Sequence, residues 1–148
     1  MRELKFDIKH FTIITLITSI WINISEVFRY FQFVMPRIQS FFNYKAGVAE
    51  MNWSIFAIWG FWDTLLTAVL VFIFWLYARN YGNSSSSVLI SGTIVWIAIF
   101  VIFWLATANM GLANRDILWI SLPLSWIEMI VGAWIASKIY KRLTPVNT

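Results

Sequence analysis

Four long apolar runs separated by short polar breaks make up most of the chain. They cover about residues 11–35, 53–77, 88–108 and 117–138. Each reaches the ~20 residues that a helix needs to cross the hydrocarbon of a bilayer. Backbone polar groups in lipid must be satisfied within the segment, so runs of this length predict helices. The breaks are polar. Residues 36–52 carry Arg37, Lys45 and Glu50, residues 79–87 read RNYGNSSSS, and residues 109–116 include Gly111, Asn114, Arg115 and Asp116. The expected fold is an all-α integral membrane protein. It is a four-transmembrane-helix bundle with short loops, forming one domain over residues 1–148.

Composition agrees with this pattern. Hydrophobic residues make up 60% of the chain and charged residues 12%, about half the ~25% of an ordinary soluble domain. A soluble enzyme, a disordered chain and a nucleic-acid binder are thereby excluded, and the lipid bilayer becomes the first partner. The net charge of +4 resides in basic residues at the ends of the apolar runs. Arg2, Lys5, Lys9, Arg79, Lys138, Lys141 and Arg142 fall on one side, and Arg37, Lys45 and Arg115 on the other. The positive-inside bias then puts both termini in the cytoplasm and the protein in the cell membrane. The basic start followed by an apolar run reads as a retained first span, because no small-residue cleavage site follows closely.

The chain has no cysteine and one histidine, His10. Disulfides, thiolate chemistry, a histidine metal site and a Ser–His triad within one chain are therefore excluded. No phosphate-binding glycine loop occurs, and neither a metal nor a cofactor is implied. Two readings of the first loop stay open. Ile38, Phe41, Phe42, Lys45 and Val48 recur at helical spacing, which fits a short helix lying in the interface. Alternatively, the first helix continues past Pro36 with a kink.

The chemistry lies in the charges that membrane topology does not need. Glu26, Asp63 and Glu128 interrupt three of the apolar runs. A charge at the bilayer centre costs ~2.5–3.5 kcal/mol on insertion scales, which makes such residues functional-site candidates. The three lie about nine, ten and eleven residues from one boundary, or roughly 13–17 Å at 1.5 Å per residue. On the first helix, Thr12, Thr15, Ser19, Asn23, Glu26, Arg29 and Tyr30 form one polar stripe. Gly60, Asp63 and Thr67 share a face of the second, and Ser121, Ser125, Glu128, Gly132 and Ala136 share one of the fourth. Small residues at this spacing let helices approach closely. The third helix carries nothing comparable between Ile94 and Ala106 and is expected to be the most lipid-exposed.

Glu26, Arg29, Asp63, Glu128 and Asn23 are the candidates for binding a ligand or a proton. Arg29 lies one turn from Glu26, so the two can pair. A purely structural reading makes Asp63 the third member of that knot. One cation against three acids leaves negative charge that a proton, a bound cation or a ligand must compensate. Trp21, Trp62, Trp126 and Tyr30 are candidate pocket walls for an apolar or cationic ligand. Asn109 and Asn114 are candidates for an outer mouth. Pro123, five residues before Glu128, is expected to shape the fourth helix. Three functions follow. The first is binding or transport of a small molecule or ion, coupled to protons. The second is a membrane enzyme using acid–base chemistry on an apolar, lipid-like substrate. The third is an accessory subunit of a larger membrane complex. Four helices are few for a monomeric transporter, so the first reading implies a homo-oligomer or a membrane partner.

Overall fold

The computed structural model describes residues 6–144. Four helices are long and apolar enough to cross a membrane: α1 (Ile8–Phe41), α2 (Trp53–Tyr81), α3 (Ser85–Asn109) and α4 (Arg115–Leu143). Each begins at a residue whose side chain satisfies an orphan backbone N–H. Asp7 accepts from Lys9 and His10, Asn52 from Ile55, Ser84 from Ser87, and Asn114 from Asp116. α2 ends at Gly82, whose φ of +80° a side chain would resist. The helices outrun the apolar stretches because the hydrogen-bond ladder does not require apolar side chains. The polar segment at residues 79–87 is therefore mostly helix. Residues 79–81 complete α2, Ser85 opens α3, and only residues 82–84 form the turn.

The first helix continues past Pro36, so the separate interfacial helix is not what forms. Residues Tyr30–Val34 adopt a wider π-helical turn, and the Met35 N–H donates to the Tyr30 carbonyl. Proline lacks an N–H, and its ring crowds the carbonyl four residues back. The widened turn just before it absorbs both effects. The helix then stops where Asn43 and Tyr44 take positive φ. A second π turn, Ile97–Val101, interrupts α3.

The bundle is antiparallel. Phe6 packs edge-on against Trp75 and Tyr140 against Phe74, so both ends of the described chain lie at the end that holds the 82–84 turn. α1 packs against α2 and α4, and α4 packs along α3. α2 follows the half of α3 nearest the turn, Ser85–Trp96, and parts from its far half. Ile22, Leu70 and Met129 are fully buried at the centre. Gly132 brings α4 onto α1 and α2: a Cβ there would stand 2.9 Å from both Ile22 Cδ1 and Leu70 Cδ2. Gly92 brings α3 against the backbone of α4.

The third helix is not the most exposed. Its most apolar window is 33% buried, as in α1, against 17% for α2. Ser87, Ser91 and Gly92, which lie before Ile94, supply the small face that packs on α4.

Candidate functional site

The buried charges meet through α1. Trp21, Ser25 and Arg29 are spaced four residues apart and so share the side of α1 that faces α4. Each addresses Glu128. The Trp21 indole N–H donates to the Glu128 carbonyl at 3.1 Å. The Ser25 hydroxyl donates to Glu128 Oε2 at 2.8 Å. Arg29 Nε lies 3.7 Å from that same oxygen. Arg29 also donates through Nη2 to Glu26 Oε1, one turn back on its own helix. The guanidinium sits 5.0 Å from the centroid of the Phe100 ring of α3, within cation–π range. Glu26, Arg29 and Glu128 thus form one buried salt-bridge triad. Glu128 is 0% exposed and Arg29 4%. Glu128 Oε1 and Arg29 Nε have no hydrogen-bond partner among the described residues.

Asp63 stands beside this triad, outside its bonding. It is buried on α2, on the side where Gly60 admits Asn23: a Cβ at Gly60 would lie 3.3 Å from Asn23 Oδ1. Thr67 donates to the Asp63 backbone carbonyl at 2.6 Å. Among the described residues no hydrogen bond or ion pair reaches the Asp63 carboxylate. Asp63 and Glu26 border a common cavity of about 20 Å³. The third member of the Glu26–Arg29 pair is therefore Glu128, on the helix facing that side of α1, and not Asp63. The geometry is a triad of two acids and one base, with a separate carboxyl across a small gap.

Where α2 and the far half of α3 part, a cleft of about 130 Å³ opens onto Glu26 and Arg29. Its walls are Tyr30, Trp59, Phe100, Phe103 and Trp104. The Tyr30 ring leans on Trp59 at 4.7 Å, and its hydroxyl donates to the Ala49 carbonyl at 3.2 Å. This hydroxyl ties the first loop to α1.

Of the other sequence candidates, Asn23 borders the small cavity with Glu26 and Asp63, and the rest fall elsewhere. Trp21 holds the Glu128 backbone and lines no wall of the cleft. Trp62 is 60% exposed, because it is one residue, about 100°, around the helix from Asp63. Trp126 donates to Thr93 Oγ1 at 3.0 Å and so faces α3, away from the triad. Asn23 donates to the Ser19 carbonyl of its own helix at 2.8 Å. Asn109 and Asn114 do not line the cleft. Asn109 ends α3 exposed, and Asn114 uses its side chain on Asp116 at the start of α4. Ser25 and the walls Trp59, Phe100, Phe103 and Trp104 were not singled out from the sequence for this site. Ser25 carried one usable signal, its four-residue spacing between Trp21 and Arg29. The α3 aromatics carried none, since they lie in a uniformly apolar run.

Among the described residues no three His, Cys, Asp or Glu side chains converge to hold a metal ion. No protein-family model, curated protein or solved structure matches the chain.

Proposed function

We propose that this is a multi-pass protein of the cytoplasmic membrane, with both termini inside, that binds a small cation in the cleft above Glu26 and Arg29 and exchanges it for protons. Its lysine and arginine distribution supports the orientation; Arg2 and Lys5, which contribute to that count, lie outside the described residues. The observation that carries the ligand reading is the cleft itself. Aromatic faces surround a floor of Glu26 and Arg29, and Glu128 lies sealed behind that same guanidinium. Two negative charges against one positive favour a further cation or a proton, and aromatic faces favour an organic cation. Asp63, across the small cavity from Glu26, is the next carboxyl on which a proton can rest.

The geometry favours this reading over the two others. A carboxyl pair dividing acid and base work needs both members in reach of substrate, and Glu128 is sealed behind Ser25 and Arg29. An accessory subunit offering acids to a partner would present them outward, whereas Glu26 and Glu128 are buried and face Arg29 within the bundle.

The test uses protein reconstituted in liposomes that hold a pH-sensitive dye. Addition of tetramethylammonium is expected to move protons across the membrane. Glu26→Gln and the double variant Asp63→Asn/Glu128→Gln are expected to abolish that movement. Proton movement that persists unchanged in both variants would sink the proposal, as would the absence of any proton movement or binding across a panel of organic amines.

A further inference from the structure

A second site lies at the other end of the molecule. α3 and α4 leave a groove of about 510 Å³ between them, beside the 82–84 turn. The groove is graded along its length. Ile130, Val131 and Trp134 of α4 face Val88 and Leu89 of α3 at one end, and Lys138 and Lys141 stand at the other. Ile130, Trp134 and Lys138 follow four-residue steps and Lys141 continues them, so one stripe of α4 runs from apolar to cationic over ~16 Å. Its position is held by a two-bond clamp. Asn83 donates to the Ser137 carbonyl at 3.0 Å, and the Ser137 hydroxyl donates back to Asn83 Oδ1 at 2.6 Å.

Among the described residues nothing compensates the charge at the polar end. No acidic residue lines the groove, and among the described residues neither lysine has an acidic partner within 4.0 Å. Lys138 Nζ rests 5.5 Å from the Trp134 ring centroid, at the junction of the apolar and polar halves. The groove is therefore amphipathic along its axis and positive at one end.

We infer that this groove between α3 and α4 seats one anionic phospholipid, with an acyl chain along Val88, Ile130 and Trp134 and its phosphate against Lys138 and Lys141. Charge complementarity selects the occupant. A zwitterionic lipid would fill the apolar half equally well but would bring no net charge to the lysines. Basic residues at a membrane surface attract anionic lipid by about five-fold each. The inference rests on reading the four helices as membrane spans and is independent of what the Glu26–Arg29 cleft binds.

Purified protein is titrated in detergent with phosphatidylglycerol or phosphatidylcholine, and retained lipid is counted by native mass spectrometry. Phosphatidylglycerol is expected to be retained as one tight equivalent. Lys138→Gln/Lys141→Gln should reduce its advantage over phosphatidylcholine by roughly 10- to 30-fold. Val131→Trp, which fills the apolar half, should lower retention of both lipids. Glycerol phosphate, the headgroup without a chain, should not compete. Intrinsic fluorescence melting without added lipid checks that both variants stay folded. An unchanged phosphatidylglycerol preference in the lysine variant would overturn the inference, as would competition by glycerol phosphate. Failure of the protein to enter lipid nanodiscs would instead overturn the membrane reading.

Discussion

Removing Arg29 tests the energetics of the triad most directly. Arg29→Met keeps most of the side-chain volume and deletes the charge. Glu26 and Glu128 then face each other in a site where Arg29 had been 4% exposed and Glu128 fully buried. Breaking a buried ion pair from one side costs about 3–5 kcal/mol, because a charge is left buried without its partner. Here two carboxylates lose the same partner, which places the expected loss at the upper end of that range. The Ser25–Glu128 hydrogen bond survives and retains part of the stability. The triple variant Glu26→Gln/Arg29→Met/Glu128→Gln removes all three charges and leaves Ser25 an acceptor. It should recover most of the loss, since a neutral site has no unpaired charge to desolvate. Unfolding of the purified protein in mixed micelles, titrated with a denaturing detergent and followed by the ten tryptophans, measures both. A loss for Arg29→Met below about 1 kcal/mol, as for an exposed pair, would refute this account. So would a triple variant no more stable than the single one.

Other predictions concern packing and the helix ends. Gly92→Ala would put a Cβ 3.1 Å from the Met129 carbonyl oxygen and 3.2 Å from Ile130 Cα, backbone atoms that cannot rotate away; a cost of about 1–3 kcal/mol is expected. Gly132→Ala meets only the ends of the Ile22 and Leu70 side chains, so its cost by the same unfolding assay should be smaller, and the reverse order would contradict the packing described. Ser25→Ala leaves Glu128 Oε2 without its hydroxyl donor and should cost about 1.5–3 kcal/mol, as for a hydrogen bond to a charged group. At the first helix end, the backbone N–H of His10 is the main cause that holds the Asp7 carboxyl below its ordinary value of 3.8. A lowered value in the folded state means that the cap stabilises above the unfolded value and is lost as pH falls through the folded one. Amide exchange at Lys9 and His10 should therefore accelerate in acid relative to more central amides, and Asp7→Asn should flatten that dependence.

The elements themselves were legible in the sequence. Runs of apolar residues long enough to span a bilayer mark four helices, whereas their capped starts at Asp7, Asn52, Ser84 and Asn114 come from the structure. The small-residue face of α4 at Ser121, Ser125, Glu128, Gly132 and Ala136 was also legible, and every one of these residues is buried. Side-chain neighbours are less legible. Trp62 and Trp126 lie close to Asp63 and Glu128 in the chain, yet a residue or two along a helix moves a side chain to another face. On the purely structural reading Asp63 joins Arg29, whereas α1 turns its Trp21–Ser25–Arg29 side to α4.

By itself the sequence determined the local quantities. These are where the backbone must be helical and which four charges lie in apolar runs. Hydropathy and helical period depend only on near neighbours, so one chain suffices to read them. Only the tertiary structure decided which acid shares Arg29, that α2 and the far half of α3 separate, and that Trp59, Phe100, Phe103 and Trp104 wall the resulting cleft. Those outcomes depend on how each helix is rotated against the next. The π turns at Tyr30–Val34 and Ile97–Val101 each insert about one residue, or ~100° of rotation, which a strict 3.6-residue reading of the stripes does not contain.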